Sequence, residues 1–136
     1  MGGARLIVLD TCAIIWYVLD PKSLTQKAKK AIEENIGSGE VIISDISFWE
    51  IAWLAKNRGL DIGGDFTLFC RALDKLYGMR SEPISPDISS IGVNLPSLVN
   101  KDPADRIIVA TALNVKSPLV TSDKNIRKSK VVDIIW

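Results

Sequence analysis

Arg5-Leu6-Ile7-Val8-Leu9-Asp10-Thr11 is the stretch that decides how the chain reads. Four consecutive branched apolar side chains run straight into an acid. A short unbroken apolar run predicts a strand buried on both faces, as in the middle of a parallel sheet. Asp10 then stands at the carboxyl end of that strand. In open α/β sheets the binding crevice lies outside those ends. The same residue would serve as a cap for the helix that follows, with Thr11 helping. On this stretch alone both roles stay open. Acids recurring at comparable places along the chain favour chemistry.

A length of 136 residues suits one domain, taken here as 1–136, with room for a proper core. An apolar fraction of 47% marks a globular chain. Seventeen Lys and Arg against 16 Asp and Glu leave a net charge of +1, which argues against polyanion binding driven by bulk charge. A local basic patch stays compatible with it. Histidine is absent. That excludes Ser-His-Asp and Cys-His catalysis, imidazole zinc sites and any histidine base. Carboxylates, lysines, hydroxyls, thiols or a metal must carry any chemistry. Cys12 and Cys70 have apolar neighbours in the sequence and are expected to be reduced core residues of a cytoplasmic protein. Asp10 interrupts the first apolar segment early, so no signal peptide is expected there. No apolar run approaches the roughly 20 residues a membrane span needs.

Outward from the first strand, short unbroken apolar runs alternate with stripes at helical spacing. Residues 12–19 read as a short buried helix ended by Asp20-Pro21. Residues 26–36 carry a stripe of Ala28, Ala31, Ile32 and Ile36, closed by Gly37-Ser38-Gly39. Residues 41–43 are a second buried strand. A helix over 46–57 has apolar Ile46, Trp49, Trp53 and Leu54, with Glu50 inside that stripe. An acid on a core-facing side needs a partner. Ser47-x-x-Glu50 also has the spacing of a capping box, although Ser44 is at least as good a cap. Further helices are expected over 66–77 and 86–93, with a third strand at 82–84.

The richest segment is 100–115. Asp102-Pro103 is an N-cap followed by proline at the first helical position, and Asp105 falls in the first turn. Two acids there exceed what capping requires. Ala110, Thr111 and Ala112 predict close packing on the sheet. Residues 118–121 are the next strand, and Ser122-Asp123 repeats the strand-then-acid pattern. A basic segment, Lys124 to Lys130, precedes a last strand over 131–135.

Strands alternating with helices imply a mainly parallel sheet, with positions 10, 44 and 122 on one edge. Asp10, Glu50, Asp105 and Asp123 are the leading acids; Asp45, Asp87 and Asp102 are lesser ones. Carboxylates gathered there repel unless a cation bridges them. Oxygen donors without His or Cys point to Mg²⁺, with Mn²⁺ possible. Such an ion can activate water and steady a phosphodiester under attack.

Four stretches in this order resemble the PIN-domain ribonucleases, and within them the VapC-type toxins. They are Leu9-Asp10-Thr11-Cys12-Ala13, Ser47-Phe48-Trp49-Glu50-Ile51-Ala52, Asp102-Pro103-Ala104-Asp105-Arg106 and Leu119-Val120-Thr121-Ser122-Asp123. The resemblance implies a three-layer α/β/α sandwich and a Mg²⁺-dependent endoribonuclease. It also implies an antitoxin partner that occludes the site, and a homodimer. It makes Asp10 and Asp105 the principal metal ligands, with Glu50 and Asp123 completing a catalytic acidic quartet. Relatives often carry His where Cys12 and Asn100 stand here, a departure that touches substrate contacts and not the quartet. Thr11, Arg106, Lys124 and Arg127 are the expected RNA contacts, weighed against an ordinary solvated face. Two rivals stand beside this reading. One is a PIN-like RNA- or protein-binding module without catalysis. The other is a phosphoryl-accepting signalling domain, which needs a lysine at a strand end where Lys124 fits poorly.

Overall fold

The computed structural model describes residues 5–136; residues 1–4 of the expected domain lie outside the described residues. Five strands form one sheet: β1 (Ile7–Leu9), β2 (Val41–Ser44), β3 (Met79–Glu82), β4 (Leu119–Val120) and β5 (Ile134–Ile135). Their spatial order is β3-β2-β1-β4-β5, and every neighbouring pair is parallel. The helices are α1 (Thr11–Leu19), α2 (Gln26–Asn35), α3 (Ile46–Asn57), α4 (Phe66–Lys75), α5 (Pro86–Asn94), α6 (Pro103–Asn114) and α7 (Lys124–Ser129).

Successive residues of a strand point to opposite faces, and β1 feeds two cores in this way. Ile7 and Leu9 enter one apolar layer with Ile14 of α1, Ile32 of α2, Ile51 of α3 and Leu73 of α4. Val8 enters the other, with Ile108 and Val109 of α6 and Ile126 of α7. Val8 and Leu9 are both fully buried, each contributing about 1.5–3 kcal/mol. The result is the expected three-layer α/β/α sandwich. Ala110, Thr111 and Ala112 are all buried, as their size predicts for a helix lying close on a sheet. Among the described residues no helix is long and apolar enough to cross a membrane.

Three local expectations change. The third strand ends at Glu82 instead of beginning there, because Pro83 has no N–H to extend the ladder. It lies at the sheet edge and buries only Met79, so Met79-Arg80-Ser81-Glu82 carries no apolar run. The basic segment is a helix, α7, started by Asp123, whose carboxylate accepts from the Ile126 N–H at 2.9 Å. In α3 the buried residues are Ser47 and Ile51, while Trp49 and Trp53 are exposed. The inward face of α3 meets α1 at Ser47, whose Oγ lies 2.8 Å from the Thr11 hydroxyl. Of the expected stripe, Ile46 and Leu54 pack against the cores while the two tryptophans face outward. The N-cap position is Asp45, which makes no side-chain cap bond; Ser44 Oγ, one residue before it, accepts from the Ile46 N–H at 3.2 Å, and the Ser47–Glu50 capping box does not form.

The strand order reverses beside β1. The chain first builds outward through β2 and β3, then returns to place β4 on the other side of β1. This is the topological switch point, where adjacent strand ends diverge and leave a crevice. Asp10 follows β1 and Asp123 follows β4, so the topology brings both to it.

Arg106 corrects a further expectation. Its Nε donates to the Gly92 carbonyl at 3.0 Å, and Nη1 to those of Pro96 at 3.2 Å and Asn100 at 2.9 Å. Nη2 donates to Val93 and Leu95 carbonyls. The guanidinium thus closes the C-terminal end of α5, where helix carbonyls lack partners, and pins the loop leading to α6. Arg106 is a structural clasp, with its donors committed, and not the phosphate contact expected. Arg106→Lys offers three donors on one atom against five dispersed carbonyls. It is expected to lower stability by about 2 kcal/mol, read from a melting curve. Unchanged melting with weakened RNA binding would restore the phosphate role.

Candidate active site

The crevice at the switch point has a volume of about 470 Å³. It is lined by Asp10, Glu50, Asp102, Asp105 and Asp123, with Thr11, Cys12, Trp49, Trp53 and Ser122 among their neighbours. All four leading acids therefore meet there. Asp45 and Asp87 do not line it; Asp87 lies exposed in the first turn of α5.

Each carboxylate is held by a different element. Asp10 is buried, its Oδ1 accepting from the Thr11 N–H at 2.7 Å and its Oδ2 from the Thr121 hydroxyl at 2.6 Å. It therefore caps α1 and faces the site at once, and the two roles left open by the sequence coexist. Thr121 Oγ1 also accepts from the Asp123 N–H at 3.1 Å, tying the ends of β1 and β4 together. Glu50 accepts from the Thr11 hydroxyl. Because that hydroxyl has only one proton, Ser47 Oγ, 2.8 Å away, must donate to it. A chain from Ser47 through Thr11 to Glu50 thus orients the acid across the α1–α3 contact. Thr11 is buried and spends its proton on Glu50, so its place is behind the carboxylate and not against RNA.

Asn100 holds the other side. Its Nδ2 donates to Asp105 Oδ2 at 3.1 Å and to Asp123 Oδ2 at 3.2 Å, while its Oδ1 accepts from Asn125 at 2.9 Å. A neutral amide thus joins two acids that would otherwise repel. The sequence does not show these tasks for Asn100, Thr121 or Ser47, because each has a partner distant in the chain: Asp123 lies 23 residues from Asn100, Thr11 lies 36 from Ser47 and Asp10 lies 111 from Thr121.

Asp102 accepts from the Ala104 N–H at 2.9 Å, which is the expected cap. Yet carboxylate oxygens of Glu50, Asp102 and Asp105 all lie within 4.8 Å of one another. Asp102 is therefore a full member of the cluster and more than a cap.

The electrostatics follow from this crowding. Asp105 is pushed up to about 7, by burial first and then by Asp10, Asp102, Asp123 and Glu50. Asp10 is raised by burial, against the stabilising bonds from Thr121 and Thr11, with Asp123 and Asp102 adding to the rise. Glu50 is raised by burial, opposed by Thr11, and further by Asp10 and Asp102. Cys12 is exposed at the crevice and not in the core as expected; desolvation and the surrounding acids push its thiol up to about 11. At neutral pH it is a thiol and no nucleophile.

With this arrangement in view, comparison with known proteins is decisive. Residues 7–131 match the model of the PIN domain. The chain belongs to the PIN-domain family. Ribonuclease VapC22 of Mycobacterium tuberculosis is 32% identical over 124 residues, covering 91% of this chain and 92% of that protein. Among solved structures, the crystal structure of FitAcB from Neisseria gonorrhoeae aligns with a TM-score of 0.67 at 21% identity, covering 95% and 96% of the two chains. A toxin–antitoxin complex from Klebsiella pneumoniae aligns at 0.63 and 24%, covering 96% of each. These two show a shared fold. PIN membership sets aside the phosphoryl-accepting rival.

Proposed function

We propose that this PIN domain is a metal-dependent endoribonuclease, hydrolysing RNA phosphodiester bonds as the toxin of a toxin–antitoxin pair. The observation that carries the reading is the converging set of carboxylates, with Asp105 raised to about 7 among them. So many like charges in one crevice are a poor arrangement for stability and a good one for a hard divalent cation. The donor set fits such an ion, since it offers only oxygen. Glu50, Asp102 and Asp105 would hold it, with Asp10 and Asp123 beside them; Mg²⁺ is the reading and Mn²⁺ the substitute. When bound, that ion supplies a Lewis acid for the phosphoryl oxygens and a more acidic water.

The chain's own groups do the positioning. Thr121 and the Thr11 N–H hold Asp10, Thr11 holds Glu50, and Asn100 holds Asp105 and Asp123. Lys124 and Arg127 on α7 are exposed just beyond Asp123 and are proposed for backbone phosphates. The likeness to VapC22 and to a toxin–antitoxin complex supports a protein partner that occludes the crevice, and a homodimer is proposed on the same footing.

The test is RNA cleavage by the purified chain in millimolar Mg²⁺ or Mn²⁺ and in excess EDTA. Cleavage only with the ion is expected; equal cleavage in EDTA would refute the carboxylate–metal mechanism. No cleavage in any ion, with RNA binding retained, would favour the non-catalytic module. In the same binding assay, Lys124→Ala with Arg127→Ala should flatten the salt dependence by about one unit of slope for each phosphate no longer neutralised. An unchanged slope would make α7 a solvated face.

A further inference from the structure

Trp49 and Trp53 stand one helical turn apart on α3, on the same side of the helix, and both line the carboxylate crevice. Trp49 is 69% exposed and Trp53 44%. The Arg58 guanidinium lies over the Trp53 ring, 5.1 Å from its centroid, which fixes that indole and covers one of its faces. Among the described residues the crevice lining holds five carboxylates and no lysine or arginine. A polyanion entering it gains nothing from the walls by charge. Beyond the cation it would hold and the exposed Lys124 and Arg127 on α7, any further hold must come from groups that ignore phosphate. An indole face binds a nucleobase in that way, and every base has a π face.

We infer that Trp49 is a stacking platform for one unpaired nucleobase next to the phosphodiester in the crevice, with the Arg58-backed Trp53 as its neighbouring layer. This rests on the ribonuclease reading and adds to it how the substrate is held, by a base stacked on α3 at the catalytic end. Paired bases are stacked on each other and offer no free face, so duplex RNA is excluded at this position. Trp49 touches the substrate's base and not the reacting atoms.

The test uses the full chain with Trp49→Ala, Trp49→Phe and Trp53→Ala, in Mg²⁺ buffer. Binding is read on the Asp105→Asn background by anisotropy of a labelled single-stranded RNA 10-mer, of the same backbone made abasic, and of its duplex. Trp49→Ala should weaken binding of the intact oligomer about tenfold, with Trp49→Phe within about threefold of the parent. The abasic oligomer should bind parent and Trp49→Ala equally weakly, and quenching of tryptophan fluorescence by the intact oligomer should fall in Trp49→Ala. In cleavage, Trp49→Ala should raise KM with kcat nearly unchanged. Equal affinity of Trp49→Ala and parent for the intact oligomer overturns the platform. So does a Trp49→Ala that changes only the oligomeric state, which would make the indoles an interface between copies. A chain that cleaves RNA with KM unaffected by Trp49→Ala loses the platform and keeps the ribonuclease reading. A chain that never cleaves, yet discriminates intact from abasic RNA through Trp49, keeps the platform and loses catalysis.

Discussion

Asp105→Asn should reduce kcat/KM for RNA by about 100-fold or more, a loss of roughly 3 kcal/mol of transition-state stabilisation. The substitution preserves shape, and its amide oxygen can still accept from Asn100. Only the charge leaves, from the residue every other crevice carboxylate presses upon. Asp102→Asn is the matched control, because Asn caps a helix about as well as Asp. The capping role alone would leave activity unchanged. The closeness of Asp102 to Glu50 and Asp105 predicts more, a loss of about tenfold, of the size seen when a metal's supporting ligands are disturbed. Calorimetric titration with Mn²⁺ should rank the variants in the same order. Full activity in Asp105→Asn with loss in Asp102→Asn would mean that the two roles are exchanged.

The metal-free protein should lose stability as pH rises from about 4 to about 7. The sign follows from linkage. Asp105 has an ordinary value near 3.8 when unfolded and about 7 when folded. Between these the native state holds more protons than the unfolded one, so stability falls with rising pH. Below pH 4 both states are protonated and nothing is lost; above 7 the whole cost is present. The shift corresponds to about 4 kcal/mol at 1.36 per unit, and coupling among the acids with partial exposure brings it to about 3 or less. Asp10 and Glu50 are raised as well and act in the same direction. Melting curves in EDTA across this range should show the fall. Millimolar Mg²⁺ at pH 7.5 should reverse it, since a ligand bound only by the folded state stabilises that state. Asp105→Asn should melt higher than wild type in EDTA at pH 7.5 and respond less to Mg²⁺. Asp10→Asn is a poorer probe, because both Asp10 oxygens accept from donors and an amide NH₂ would face one of them. A metal-free melting temperature that climbs between pH 4 and 7 would show that the crevice carboxylates do not repel as their placement requires.

The parts of the site legible in the chain are those with a local signature. Asp10 and Asp123 each end an apolar strand, and Asp105 follows an Asp-Pro helix start. Glu50 is legible for a partly mistaken reason. Its stripe with Trp49 and Trp53 reads as core-facing, whereas that side of α3 faces the crevice. Helical spacing says which residues share a side, but not which side meets the core. In the fold the buried side carries Ser47 and Ile51, with Ser47 hydrogen-bonded to Thr11, 36 residues earlier.

Arg106 shows the same boundary. A cation beside two site acids reads as a phosphate ligand until the end of α5 is placed against α6. Its guanidinium then lies among five carbonyls at the end of α5 and in the loop that leads to α6.

By itself the sequence determined the alternation of buried strands and helices, hence a mainly parallel sheet. It also determined that any chemistry must proceed without histidine, and it placed carboxylates at strand ends and helix starts. These follow from side-chain type and period, which are properties of neighbours along the chain. Only the tertiary structure decided that Asp102 joins the cluster, that Asn100 binds Asp105 to Asp123, and that two indoles border the crevice. Each of these depends on hydrogen bonds or packing between elements far apart in sequence, where direction and distance matter and composition is silent.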